Sequence, residues 1–457
     1  MLNALKYLIF TIIVTGLMIN LSPQSSYANG NNIKVLNQTI ESDFPNGIKF
    51  HLEAKSSDAI DDIRVYFRKM GQSGDSGYRI VDFDTGTHIY GESKILSNKD
   101  NQYIAPGTRI EYYYDIRDVT GRVFKTDPQI YTYLDNRFEW KTVTDGVITV
   151  FYFGSGTAEK AEQILDICKA TLDLMGPILG IEPAHPLHIV TYEDYSDMKV
   201  GLPFRSKTVS NSLITNGIAF ADERSLIIYA SDNSFVGTTK HEFTHLLVGD
   251  AAGRAYNRVP LWLNEGLAEY ANTEGNYQSY LQSAIQNGDL LPLWQRETFS
   301  GTPRDIMIGY GQGESVVQFM IDEYGTKKIA SLMTNIQSAF DIDSALESSH
   351  GFNQYGLDSL WREHMELPQL PDPDVDSGLD TPTPADTASI KPTPTINTLA
   401  STLPDSKTER TNVEPINTRG TGGCYAAPDS HSDFSTIGLI GLPIIMSIWR
   451  KSKRRDD

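Results

Sequence analysis

An all-β unit followed by a mixed α+β unit is the fold class this sequence predicts, with a polar stalk and a short apolar run behind them. Three observations carry the prediction. Residues 33–135 are short alternating runs rich in Tyr, Phe, Ile and Val, punctuated by turn signals such as PNG and GQSGDSG. Residues 137–366 alternate strand-like runs with amphipathic helical stretches, an order that suits an α+β domain. Residues 367–423 lose all apolar periodicity, and Pro, Thr, Ser and Asp dominate. A length of 457 residues fits two domains with flanking segments better than one core.

In chain order, residues 1–28 read as a signal peptide. Lys6 precedes an apolar run from Tyr7 to Met18, and Ser26 and Ala28 supply the small residues a signal peptidase reads. An uncleaved anchor helix is the alternative. In 33–135 the runs GIKFHLEA, IDDIRVYFRK, RIEYYYDIRD and QIYTYLD suit a small immunoglobulin- or fibronectin-like sandwich. The tyrosines of RIEYYYDI read as a sandwich face rather than a ligand platform. The second domain opens with a strand at 146–153, a helix at 157–180 and the strand LHIVTY at 187–192. Residues 367–423 cannot bury enough apolar surface to fold and read as a disordered linker.

Residues 434–449 are apolar but interrupted by Pro443 and two glycines, near the short limit for a bilayer-spanning helix. The basic cluster at 450–457 follows at once and predicts a cytoplasmic tail, which leaves the folded part outside the cell membrane or on the cell surface. The same tail is similar to bacterial C-terminal sorting signals, with Gly422-Gly423-Cys424 as the motif a processing enzyme reads. Membrane anchoring through this helix and processing both stay open. The formal net charge of −19 excludes nucleic acid as the expected partner, because phosphate binding needs a basic footprint. The two cysteines, Cys168 and Cys424, fall in a helical pattern and a Gly-rich tail, so no disulfide is expected.

The chemistry concentrates in KHEFTHLLVGDAAGRAYNRVPLWLNEGLAEYAN. His241 and His245 are four residues apart, which puts both imidazoles on one helix face and within reach of one metal ion. Glu242, beside the first histidine, is placed to accept a proton from a water that zinc has made acidic. A second helix, LWLNEGLAEY, carries Glu265 and Glu269 one turn apart. Glu265 completes a His₂Glu set with one position left for water, and Glu269 can accept the other ring N–H of a ligand histidine. His185, His188, His350 and His364 lack partners at ligand spacing.

HEFTH followed by WLNEGLAEY resembles the gluzincin clan of zinc metallopeptidases, including the proteins grouped as peptidase MA-like. The resemblance covers about residues 140–366. It implies a zincin-like fold, one Zn²⁺ per chain, a peptide or protein substrate, and Glu265 as third ligand. Nineteen residues separate His245 from Glu265, one more than in the aminopeptidase pattern. Two further elements follow from the resemblance. Tyr310, in IGYGQGES, matches the tyrosine that points at the scissile carbonyl, ahead of a turn. Gly217, Ile218, Ala219 and Phe220 match the edge strand on which an extended substrate is laid. Phe220 stands where aminopeptidases carry the glutamate that grips a free amino group, with Asp222 or Glu223 as possible substitutes. An endopeptidase is therefore expected over an aminopeptidase. The alternative is a catalytically inactive, zinc-containing surface binding module, against which the intact Glu242 argues.

Overall fold

The computed structural model describes residues 33–372, apart from 72–75, 98–102, 155–157, 204–215, 276 and 298–301. The expected signal peptide, most of the linker, the 434–449 helix, the basic tail and Cys424 lie outside the described residues. Among the described residues no helix is long and apolar enough to cross a membrane.

The first unit contains β1 (Lys34–Asp43), β2 (Gly47–Lys69), β3 (Ser76–Ile80), β4 (Gly86–Leu96), β5 (Arg109–Asp118), β6 (Val123–Lys125) and β7 (Gln129–Thr132). The sequence suggests two strands where the structure has the single β2. Its first half pairs with β1 and β4, its second half with β3 and β5, all antiparallel. The ladders slip between Lys55 and Asp62, the polar stretch where the strand passes from one layer to the other. The layers face each other, since Phe50 of the first half meets Tyr112 of β5 edge-on at 5.4 Å. Strand alternation explains the tyrosines of β5. Tyr112 and Tyr114 are buried in the core, and Tyr113 turns outward to stack on Tyr66.

The second unit is built on a five-stranded mixed sheet. Its strands are β8 (Lys141–Asp145), β9 (Ile148–Tyr152), β10 (Leu187–Tyr192), β11 (Gly217–Phe220) and β12 (Ser225–Tyr229), in the order β11-β12-β10-β9-β8. Strands β9, β10 and β12 are parallel, while β11 and β8 run antiparallel at the two edges. Two helices, α1 (Ala158–Leu179) and α3 (Phe235–Ala252), pack on one face of this sheet, and the short α2 (Tyr195–Val200) follows β10. The lower part is helical, with α4 (Leu261–Ala271), α5 (Gln278–Asn287), α6 (Pro303–Tyr324), α7 (Thr326–Ser338), α8 (Ile342–His350) and α9 (Gln354–His364). Local sequence marks these ends. Thr302 and Asp305 form a reciprocal capping box with Pro303 at the first helical position, and Asp341 and Asn353 cap α8 and α9.

The other face of the sheet is covered by the first unit. Ile218, Phe220, Ile227, Val190 and Tyr192 form one core with Ala105. Polar contacts close around it. Ser225 Oγ donates to the Pro106 carbonyl at 2.6 Å, Lys69 pairs with Glu223 at 3.1 Å, and His188 Nδ1 lies 2.7 Å from the Gly107 carbonyl. The β unit is thus a wall of the second unit's sheet. His188 is structural, as its lack of a spaced partner implied, and it bridges the two units.

That bridge makes stability depend on pH. Burial pushes the His188 pKa below its ordinary 6.5; the Gly107 carbonyl opposes this and Arg109 adds to it. The unfolded chain then takes up a proton at higher pH than the folded one, so stability falls as pH drops below about 6.5. Thermal midpoints measured at pH 7.5 and pH 5.0 should differ less in His188→Asn, whose amide can still donate to Gly107. An equal difference in both proteins contradicts the assignment.

Candidate metal centre and active site

Helix α3 is buried on nearly all sides. Phe243, Leu246, Leu247 and Ala251 face the core shared with α1 and the sheet. His241, Glu242 and His245 occupy the remaining face and are 3%, 5% and 1% exposed. A 3₁₀ turn at Gly253–Arg258 reverses the chain into α4. The first N–H groups of α4 are satisfied from outside it, Leu261 by the Glu297 carbonyl and Trp262 by that of Arg296. This docks α4 so that Glu265 and Glu269, on one face, look at α3.

The ligand atoms converge. His241 Nε2 and His245 Nε2 are 3.1 Å apart, and Glu265 Oε2 lies 3.2 Å and 3.5 Å from them. Zinc with bonds of about 2.0–2.1 Å at the tetrahedral angle places its ligand atoms about 3.3–3.4 Å apart. The triangle therefore has the right size. The protonation pattern also fits. His241 Nδ1 lies 2.8 Å from Glu269 Oε1, and His245 Nδ1 lies 3.0 Å from Asn264 Oδ1. Asn264 Oδ1 can only accept, so it places the His245 ring hydrogen on Nδ1, and the Glu269 carboxylate lies on the Nδ1 side of His241, which leaves the two Nε2 atoms facing each other. Lone pairs at that distance repel, and a cation held between them and Glu265 removes the conflict.

Burial alone pushes the Glu265 carboxyl up, but the facing His245 and His241 overcome it and hold Glu265 well below the usual carboxylate range. For Glu242 burial wins. Its carboxyl is raised, although both imidazoles and the Ala219 N–H pull it down. A raised carboxylate is the better proton acceptor.

Among the described residues, strand β11 (Gly217–Phe220) is the last strand at one edge of the sheet. The structure divides its residues. Tyr229 N–H donates to the Asn216 carbonyl, which makes that a hydrogen-bonded pair. By alternation Ile218 and Phe220 bond inward to β12, while Gly217 and Ala219 turn their backbone groups away from it, the Ala219 N–H toward the Glu242 carboxylate. Gly217 presses so close on α3 that a Cβ would stand 2.9 Å from Glu242 Cγ. Phe220 points to the opposite face, against Tyr103 at 5.4 Å. Glu223 is taken by Lys69, so it does not substitute for an amine-gripping glutamate.

Tyr310 is at the site but not before a turn. It is the eighth residue of the 22-residue helix α6, fully buried, with its ring 6.1 Å from that of His241. Its approach depends on glycines one turn further on. A Cβ on Gly266 would stand 2.4 Å from the Gly313 carbonyl oxygen, so α4 and α6 cross almost backbone to backbone. A cavity of about 10 Å³ lies between Gly217, Thr238, His241, Glu242, Tyr277 and Tyr310. That is room for one water.

Sequence reading missed the supports of the site. Asn264, quoted only as part of NEG, orients His245 and is itself held by donating to Tyr256 OH at 3.1 Å. Asn272 Nδ2 donates to Glu269 Oε2 at 3.1 Å. Their signal was position: each amide sits next to, or one turn from, a carboxylate of the site. Replacing such a support typically weakens metal binding about ten- to hundredfold. Asn264→Ala should show that loss of zinc affinity in chelator competition, with the folded midpoint nearly kept. Unchanged affinity would remove Asn264 from the site.

Residues 169–366 match the family model described as the Peptidase MA superfamily. The resemblance read from HEFTH and NEGLAEY is borne out over that segment. No curated protein matches the chain. Among solved structures, native yeast LTA4 hydrolase aligns at 12% identity and a TM-score of 0.35, covering 74% of this chain and 69% of its own. A two-domain M1 zinc metallopeptidase bound to L-tryptophan aligns at 12% identity and 0.34, covering 75% and 97%. The module BhCBM56 aligns at 11% and 0.15, covering 23% and 96%. These scores are too low to equate the folds.

Proposed function

We propose that the segment matching the Peptidase MA superfamily works as a zinc-dependent endopeptidase, with His241, His245 and Glu265 holding the metal. One observation carries this reading: three buried ligand atoms 3.1–3.5 Å apart, with acceptors on the Nδ1 side of both histidines. Zinc, when bound there, supplies Lewis acidity that polarises a carbonyl and makes water acidic near neutral pH. The rest falls to the chain. Glu242, adjacent to His241 and lining the cavity with Tyr310, takes the proton of the attacking water and passes it to the leaving amine. Tyr310, beside His241, donates its hydroxyl to the oxygen that gains charge. Gly217 and the Ala219 carbonyl offer backbone groups to an extended peptide, an affinity without side-chain selectivity, while the Ala219 N–H is engaged by Glu242.

Preference for internal bonds rests on what the edge strand lacks. Phe220 turns away from the metal and Glu223 is paired with Lys69, so neither grips a free amino terminus. The same reading places the protein outside the cell, anchored or processed through its C-terminal segment. That part rests on the sequence of residues 1–28 and 434–457.

One observation favours a second reading, a zinc-holding binding module. The cavity is closed to about the size of one water, and His241 is 3% exposed. Two variants separate the readings. Glu242→Gln should retain one zinc per chain by metal analysis and lose about 10²–10⁴ in turnover. Tyr310→Phe should lower kcat about 10²–10³-fold with KM little changed. Mass spectrometry of a diverse peptide mixture reads the outcome. Internal cuts support the endopeptidase, trimming from one end an exopeptidase, and a zinc-loaded protein that cuts nothing supports the binding module.

A further inference from the structure

Three threonines lie on α3. Thr239 and Thr244 donate their hydroxyls back to the carbonyls of Phe235 and Lys240, at 2.6 Å and 2.7 Å, as helical threonines commonly do. Thr238 does not. It is 2% exposed, it lines the cavity beside Glu242, and its Oγ1 has no hydrogen-bond partner among the described residues. Its orientation is set by the edge strand, since its methyl Cγ2 lies only 2.7 Å from where a Cβ on Gly217 would stand. A buried hydroxyl left unpaired is costly, and a partner that enters the cavity recovers that cost.

We propose that Thr238 is a specificity-determining residue whose hydroxyl hydrogen-bonds a small hydroxyl-bearing side chain, serine above all, on the substrate residue flanking the cleaved bond. The inference rests on the peptidase reading and adds the substrate class. Size and chemistry agree. The narrow cavity that Thr238 lines beside Glu242 favours a small group there, and a hydroxyl both fits and can pair with Oγ1. A site built to hydrogen-bond a hydroxyl discriminates against the analogue that lacks it.

The test uses the full zinc-loaded chain and peptides of one sequence that differ only in Ser, Ala, Val or Phe at each position flanking the cut. Serine should exceed alanine in kcat/KM by about ten- to hundredfold at one of those positions. In Thr238→Val, which keeps the shape and loses the hydroxyl, that ratio should fall toward one. A wild-type protein that cuts without serine preference, or a Thr238→Val protein that keeps the ratio, overturns the proposal. Binding of the same peptides to the Glu242→Gln protein, with and without Thr238→Val, is read separately by calorimetry. Tighter serine binding that Thr238→Val abolishes upholds the inference even if no peptide is cut, which overturns only the peptidase reading. Equal binding of serine and alanine peptides overturns the inference itself.

Discussion

Two histidine rings held with their Nε2 atoms 3.1 Å apart are the constraint around which the second unit is arranged. Each ring has an acceptor behind it: Asn264 Oδ1 hydrogen-bonds His245, and Glu269 Oε1 lies 2.8 Å from His241 Nδ1. Around them Glu242, Glu265 and Glu269 are each at most 5% exposed. Buried carboxylates are expensive unless opposite charge accompanies them. A dication in the triangle answers both the facing lone pairs and the surplus negative charge. These acceptors explain why the site needs two helices, because residues on α3 alone supply neither the third ligand nor either Nδ1 acceptor.

The sheet serves this centre from both faces. One face receives α3, and the Arg224–Asp250 pair at 2.7 Å ties the β11–β12 turn to the far end of that helix. The other face is closed by the β unit through Ala105, Pro106 and Gly107. Side chains of β11 alternate between these faces, so Gly217 and Ala219 meet the site while Ile218 and Phe220 meet the β unit. The β unit thereby fixes the plane of the edge strand, and with it the distance from Gly217 to Glu242 and Thr238. Close packing of glycine on glycine does the same for Tyr310 on the helical side.

Local rules made much of this readable in advance. Alternation and turn signals identify the β unit, and helical spacing alone puts His241 and His245 on one face. The same spacing pairs Glu265 with Glu269, and the pattern LHIVTY marks the buried strand β10 at its exact bounds. These features depend on neighbours a few residues away, which is the range over which sequence pattern is informative. The reading of two short strands in place of β2 failed because a bend between layers breaks the apolar alternation without ending the strand. The expectation of a turn after Tyr310 came with the resemblance to the aminopeptidase segment, and the structure has a continuous helix there. In the structure Gly311 and Gly313 make room for the chain around Tyr277 and for α4.

By itself, then, the sequence pointed to His241, His245 and Glu265 as one cluster, to Glu242 beside it and to the order of the two units, all encoded by residue type at short spacing. Only the tertiary structure decided which acceptor faces which histidine, that Phe220 faces Tyr103 rather than the ligand cluster, and that Thr238 Oγ1 has no hydrogen-bond partner among the described residues. Those outcomes depend on contacts between elements distant in the chain. Their distances are set by packing, and no local pattern carries them.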